Sequence, residues 1–554
     1  MLLTVRCTRR LRRSRPRAAV TVAAGMAIMA GFLTAGAAGA AAHSAAPADN
    51  VFPTAQWPVA GQNLNDTHFQ VDEDTISPAN VSTLTPKWTL TTTGNVTATP
   101  TVFAGVVYVS DMGGTLWAVK ASNGQVLWSH TIASYTGVPG DLSRTSPAVF
   151  GDEIITGDGW VVGPNTGGAH VFAVNRLTGK LLWSTKVDSF VASLITSSPV
   201  VVDGVAYLGI SSNEELLTTQ PGYQCCVFRG AVVALNAVTG QILWKSYTVP
   251  SNNNGSDTNL PGYYSGNAVW GSSPVVDLAR GLLYVGTGNN YSVPSGVCMA
   301  PGQTGCTAAA ANDYVDSILA LNLYTGAVAW ADRTLSGDQF TVAAPFGPDF
   351  DFGTAPNLFT TTNPVTGLPE QLLGIGQKSG FYWAVEPSTG KVVWSTQVGP
   401  GSFVGGMEWG SASDGHRIYV AEADGAHAAY TLGGSGPFAG QTATGGSWAA
   451  LDSATGKIIW QTPDPQTAVD LGFVSTANGV VYAGSNAGTG NNMYALDAAT
   501  GKILWSFASG GAVISGAAVV NGTVYWGSGY YNNTCPAGVP FCGFNDKLYA
   551  FAPH

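Results

Sequence analysis

The hydrophobic pattern of this chain is largely one motif written over and over: a small residue opening a short apolar strand, a Thr-Gly pair (Asn-Gly in the first copy), three residues, then a tryptophan. It reads AVKASNGQVLW up to Trp128, AVNRLTGKLLW up to Trp183, ALNAVTGQILW up to Trp244 and ALNLYTGAVAW up to Trp330. AVEPSTGKVVW, ALDSATGKIIW and ALDAATGKILW follow, ending at Trp394, Trp460 and Trp505. The glycine supplies the positive φ of a hairpin turn. Beyond it the strand alternates, so that Ile503, Trp505 and Phe507 share one face. Each unit also opens with a second hairpin, as in SSPVVVDGVAYLGI at 197–210. Four strands per unit are therefore predicted.

An eighth copy is split between the ends. The C-terminal KLYAFAPH holds its first half around Tyr549 and Phe551, and PKWTL near the start places Trp88 where the repeat tryptophan belongs. Joining the two halves closes a ring and removes an exposed sheet edge. The expected fold is all-β: an eight-bladed β-propeller over 81–554, closed by N- and C-terminal strands and preceded by an extension at 43–80. An open solenoid is the alternative, and the split repeat argues against it.

Composition agrees with a strand-rich chain. Only 10% of the 554 residues are charged while Gly reaches 71 and Trp 16, the balance of an all-β protein with many turns. A hydrophobic content of 45% excludes disorder. Arg6, Arg9, Arg10, Arg12, Arg13, Arg15 and Arg17 precede an Ala/Gly-rich apolar run that ends in small residues near Ala42. That order is a secretory signal over 1–42, with the twin-arginine route open, and it implies a secreted or cell-envelope location without stable membrane insertion. Without residues 1–42 the net charge is −17, and no basic stripe remains for nucleic acid. Beyond Cys7, the cysteines form three local couples, Cys225 with Cys226, Cys298 with Cys306 and Cys535 with Cys542, and export makes disulfides expected. No CxxCH occurs, so no covalent c-type haem is expected.

Repeat register sorts the polar residues. In an up-and-down blade, the start of the innermost strand and the end of the second lie on one rim near the axis. Arg144, Thr196, Trp270, Asp349 and Asp351 precede first strands, with Glu408 and Trp409 in the same setting. Ser211, Glu214, Asn289 and Lys378 follow second strands. Glu and Asn oxygens suit a hard cation such as Ca²⁺, and no His/Cys cluster suits Zn²⁺. The face of Trp270 suits a planar ligand, Arg144 and Lys378 suit its oxygens, and an Asp beside a cation suits a general base.

These stretches resemble the pyrroloquinoline quinone (PQQ)-dependent alcohol dehydrogenases over essentially the whole chain beyond the signal. ITSSPVVVDGVAYLGISSNE, VWG followed by GTGN, PDFDFG and QKSG carry the resemblance, and ISPANVSTLTPKW with YQCCVFRGAVVALNAVTG is most similar to the polyvinyl alcohol dehydrogenase branch. The resemblance implies PQQ and Ca²⁺, with a lanthanide as the alternative ion, held by Glu214, Asn289 and Asp349. It implies Asp349 as the base during hydride transfer from an alcohol, Asp351 being the alternative base or a further metal ligand. Arg144, Thr196, Ser211, Trp270, Lys378, Glu408, Trp409 and the Cys225-Cys226 pair would bind the cofactor. Two departures stand out. Cys225-Cys226, the counterpart of adjacent cysteines that cover the quinone, sits late, after Glu214, and Ala268 stands where a hydrogen-bonding threonine is common. The implied partners are an alcohol, secondary or polymeric, and an external electron acceptor such as a separate cytochrome c. A non-catalytic propeller scaffold built on the same repeat is the competing reading, though a scaffold has no need of acids and cations around its channel mouth.

Overall fold

The computed structural model describes residues 55–159, 167–271, 273–299, 303–335, 337–530 and 543–554. The segment 1–42 expected to be a signal, Cys7, and the Cys535/Cys542 couple lie outside them.

Eight sheets, each built on four antiparallel strands, follow one another as the blades of a propeller, and two carry a fifth short strand: Ser193–Leu194 in the third, and Phe69–Gln70, parallel to the innermost strand, in the seventh. Blades 1 to 7 occupy 101–131, 148–188, 200–247, 275–333, 357–397, 412–463 and 474–507. Blade 8 takes three strands from 517–552 and its outermost strand, Thr85–Thr91, from near the start of the chain. That strand runs antiparallel to Gly543–Ala552 and sets Trp88 opposite Ala550, so the split repeat closes the ring.

The repeat is explained by what its tryptophan and glycine do together. Each repeat indole donates its N–H to a backbone carbonyl of the next blade: Trp128 to Arg176, Trp183 to Ala237, Trp244 to Leu323, Trp330 to Pro387, Trp394 to Ser453 and Trp460 to Ala498. Trp505 donates to Leu84 and Trp88 to Ala121, which carries the series through blade 8 and back to blade 1. For every one of these except Trp505, whose next blade is split between the chain ends, the turn glycine of the following blade lies on the ring. At Gly240, with φ of +71°, an added Cβ would meet Trp183 at 2.5 Å, so both the backbone and the neighbouring indole demand glycine. An indole of this size buries roughly 150–250 Å², worth about 4–6 kcal/mol of transfer free energy before entropy is counted.

The segment at 57–70 forms no blade. It runs as a ribbon along the free edges of the innermost strands and visits them in ring order. Trp57 exchanges two backbone hydrogen bonds with Val102 of blade 1, and Val149 of blade 2 donates to the Pro58 carbonyl. Val276, Leu358, Ser413 and Thr476, of blades 4 to 7, donate to Leu64, Asn65, Thr67 and His68. The Gln70 amide then reaches the Val519 carbonyl of blade 8. The inner-strand partners Val102, Val149, Val276, Leu358, Ser413 and Thr476 are buried, and a backbone group left without a partner there costs about 1–3 kcal/mol.

Candidate active site

Where the chain enters the innermost strands, a cavity of about 660 Å³ opens, lined by Arg144, Trp270, Asp349, Asp351, Lys378, Glu408 and Trp409 among others. Its size falls in the ordinary range for a small-molecule site, roughly 300–1,000 Å³. Repeat register delivers these side chains from different blades to one place: Arg144 ahead of blade 2, Trp270 ahead of blade 4, Asp349 and Asp351 ahead of blade 5, and Glu408 and Trp409 ahead of blade 6.

Carboxylate oxygens of Glu215, Asp349 and Asp351 lie within 4.8 Å of one another. Lys378 Nζ sits 3.1 Å from Asp349 Oδ2 and 3.0 Å from Asp351 Oδ2. Asp351 is doubly engaged, since its Oδ1 also accepts the Asn289 backbone N–H at 2.6 Å. Asp349 keeps Oδ1 buried with no hydrogen-bond partner among the described residues, and so does Glu215 with Oε1. The Asn289 amide nitrogen is pinned by the carbonyls of Asn290 and Phe340, at 2.9 and 2.8 Å, which leaves its buried Oδ1 equally without a partner.

Burial raises the Glu215 pKa well above the usual carboxylate value, and the charges of Asp349 and Asp351 push it the same way. Asp349 is also held well above its usual value, by burial first, against the pull of Lys378. Burial works against the Lys378 charge too, but Asp349, Asp351, Glu408 and Glu215 outweigh it and hold the ammonium well above its ordinary pKa. Glu408 is pushed up to about 7, mainly by burial. Four carboxylates thus face two cations, Lys378 and Arg144, whose guanidinium lies 4.3 Å from the Trp409 ring centre. The unmatched acid charge and the orphaned oxygens of Glu215 and Asn289 fit a hard divalent cation, and Asp349 Oδ1 stays open beside them. The Trp270 wall and the two cationic groups fit a flat, oxygen-rich anion beside it.

Not every residue singled out in the sequence reaches the cavity. The Glu214 carboxylate turns away and accepts from the Tyr223 hydroxyl at 2.6 Å and from the backbone N–H groups of Val227 and Phe228, both at 2.8 Å. It organises the loop that follows, and the glutamate facing the two aspartates is Glu215 rather than Glu214. Both open the short helix Glu214–Leu217, where successive side chains diverge by about 100°. Thr196 lies behind the wall: its hydroxyl sits 3.0 Å from Ser211 Oγ and donates to the Trp270 carbonyl, bracing the tryptophan from its backbone. Cys225 and Cys226 are joined by a disulfide, as are Cys298 and Cys306. The adjacent pair is not among the described residues lining the cavity; Cys226 is buried with Leu217 and Phe228 in a cluster against which Trp270 also packs. Phe340, Val342, Pro345, Phe403 and Val404, from connections between blades, and Leu471, just ahead of blade 7, give the cavity an apolar side that polar residues at repeat positions do not mark.

Comparison with known proteins decides the family. The glucose/ethanol/alcohol dehydrogenase β-propeller domain, of the PQQ type, matches residues 57–402. The chain belongs to the PQQ-dependent alcohol dehydrogenase family. Within it, the chain is 30% identical over 378 residues to a polyvinylalcohol dehydrogenase of Pseudomonas sp, covering 66% of this chain and 54% of that protein. It is 31% identical over 463 residues to another from Sphingopyxis sp. (strain 113P3), covering 78% and 64%. The chain thus spans about half to under two thirds of the length of these relatives. The quinohemoprotein alcohol dehydrogenase ADHIIG of Pseudomonas putida HK5 shares the fold, with a TM-score of 0.69 at 19% identity over 90% of this chain and 80% of that one. The outer membrane protein assembly factor BamB family matches 444–535, a stretch that contributes no member of the acid cluster.

Proposed function

We propose that this chain is the propeller of an exported dehydrogenase that oxidises alcohols with PQQ and Ca²⁺, passing electrons to a separate acceptor such as a cytochrome c. The observation that carries the reading is the buried group of Glu215, Asp349 and Asp351, set against Lys378 in a cavity walled by Trp270. Glu215 and Asn289 would hold the cation through their orphaned oxygens; Trp270 would lie along the quinone, with Arg144 and Lys378 at its oxygens. These groups would supply a two-electron acceptor, the quinone, which takes the carbinol hydrogen as hydride, and a Lewis acid, the cation, while the hydroxyl proton passes to the protein.

The chain's own part is positioning and proton transfer. Asp351 has both oxygens committed, to Asn289 and Lys378, whereas Asp349 keeps Oδ1 available, so Asp349 is the better general base for the alcohol hydroxyl. Lys378 holds the other Asp349 oxygen and fixes its direction. The apolar side chains of Phe340, Val342, Phe403 and Leu471 along the cavity suit an alcohol with hydrocarbon on both sides of its carbinol carbon. That, with the names of the relatives, favours secondary and polymeric alcohols such as polyvinyl alcohol.

The test is reconstitution of the purified protein with PQQ and Ca²⁺, followed by dye-linked oxidation of simple alcohols and polyvinyl alcohol. Glu215→Gln is expected to lose at least about 100-fold in Ca²⁺-dependent turnover, the scale of losing one electrostatic contact at a reacting centre. Glu214→Gln is expected to lower the melting temperature and leave turnover per bound PQQ within a few-fold. The reverse ranking would refute the metal assignment, and absence of saturable PQQ binding would sink the enzyme reading altogether.

A further inference from the structure

Asp338 lies in the connection between blades 4 and 5 and is fully buried. Its carboxylate accepts two consecutive backbone N–H groups, that of Asp349 on Oδ1 at 3.2 Å and that of Phe350 on Oδ2 at 2.7 Å. The residue it grips is in the left-handed region, with φ of +62° at Asp349, a conformation that costs a non-glycine residue free energy unless its surroundings impose it. Gly347 packs against the same carboxylate so closely that a Cβ there would stand 2.0 Å from Asp338 Oδ1. The acid is therefore enclosed, and its two oxygens are aimed.

The neighbouring backbone does the same for the amide ligand. The Asp338 carbonyl accepts from Asn290 N–H, the Phe340 N–H donates to the Asn290 carbonyl, and the Phe340 carbonyl holds the Asn289 side-chain nitrogen. One three-residue stretch thus fixes the direction of both Asp349 and Asn289, which come from different blades.

We infer that Asp338 is a positioning residue for the dehydrogenation: it locks the Asp349 backbone so that Oδ1 faces the reacting alcohol, and with 339–340 it keeps base and amide ligand in register. The inference rests on the reading of Asp349 as the base. A displacement of about 1 Å at a reacting group costs up to about 100-fold in rate. Asparagine at 338 would present one acceptor oxygen and turn its NH₂ toward a backbone donor, so one of the two bonds is lost while the volume is kept.

Three measurements on the full chain test it. In protein reconstituted with PQQ and Ca²⁺, Asp338→Asn is expected to lower kcat about 10- to 100-fold with KM for the alcohol within about 3-fold. Hydrogen exchange at the Asp349 and Phe350 amides, read in the protein without added cofactor, is expected to quicken at least about 10-fold, the effect of about 1.4 kcal/mol on a local opening. Asp111→Asn is the control: Asp111 is another buried acid that accepts backbone N–H groups, those of Thr93, Gly113 and Thr115, in blade 1 away from the cavity. It is expected to lower the melting temperature while leaving kcat per bound PQQ unchanged. If Asp338→Asn behaves like that control, with kcat kept, the positioning role is overturned. Unchanged exchange at 349–350 overturns it too. An inactive wild type would count against the dehydrogenase reading, whereas the exchange result bears on the Asp338 clamp alone.

Discussion

Glu408 takes up a proton at about pH 7 because its burial outweighs the attraction of Lys378 and Arg144. An ordinary glutamate in the unfolded chain ionises near 4.5, so between these values the folded protein binds the proton more tightly. The resulting stability is fully present below pH 4.5 and is lost as pH rises through 7. In the protein without added PQQ or Ca²⁺, Glu408→Gln is therefore expected to raise the melting temperature at pH 8 and to leave it nearly unchanged at pH 4. A melting series across that range checks this, and an equal shift at both ends would contradict it. The same residue shows what register can and cannot find. Arg144, Trp270, Asp349, Asp351, Lys378, Glu408 and Trp409 stand at fixed offsets from repeat strands, and all line the cavity. Choosing between Glu214 and Glu215 needed the twist of a four-residue helix, which adjacent letters do not reveal. Asp338 had no signal, because its partners are backbone N–H groups eleven and twelve residues away.

The ribbon at 57–70 makes the same point for a whole element. It has neither the repeat nor an alternating pattern, and its bonds to the inner strands run largely through backbone groups that any residue carries. The sequence could mark this stretch as an extension and no more. Its contacts fall several residues downstream of the cavity-lining side chains of the same blades: Val149 after Arg144, Leu358 after Asp351, Ser413 after Glu408. The ribbon therefore floors the channel beyond the cavity and ties inner strands that do not otherwise share a sheet. Trp57 anchors its first contact, fully buried, with its indole N–H donating to the Ala60 carbonyl at 2.9 Å. Trp57→Ala is expected to cost about 3–5 kcal/mol, the usual range for emptying a buried aromatic site. Because Trp57 is remote from the acid cluster in the fold, turnover per bound PQQ in the surviving folded protein is expected to hold. Thermal unfolding paired with active-site counting separates the two, and a fall in per-site turnover as large as the loss of folded protein would show that the floor also shapes the cavity.

At the scale of the molecule, closure makes every blade interface an interior one. Trp88 and Trp183 provide a matched pair for testing this. Each indole is about nine-tenths buried, each donates to a carbonyl of the next blade, at 2.9 Å to Ala121 and 2.7 Å to Ala237, and each is covered by a turn glycine, Gly124 or Gly240. They differ chiefly in chain position: Trp183 sits inside a blade of continuous sequence, and Trp88, whose ring also meets Tyr525 at 5.9 Å, lies on the strand that reaches blade 8 from the other end of the chain. In an open repeat array, a contact in a terminal unit has one neighbour fewer and opens first, so its loss is the cheaper one. In a ring held by Gly543–Ala552, with Thr85–Thr91 on one side and Thr523–Tyr530 on the other, no unit is terminal. Trp88→Ala and Trp183→Ala are therefore expected to destabilise by the same amount within about 1 kcal/mol, each in the range of about 3–5 kcal/mol. Urea unfolding of both variants beside the wild type makes the comparison. A Trp88→Ala variant that lost under half of what Trp183→Ala loses would mean that the terminal strand is a frayed end and that the ring is stabilised elsewhere.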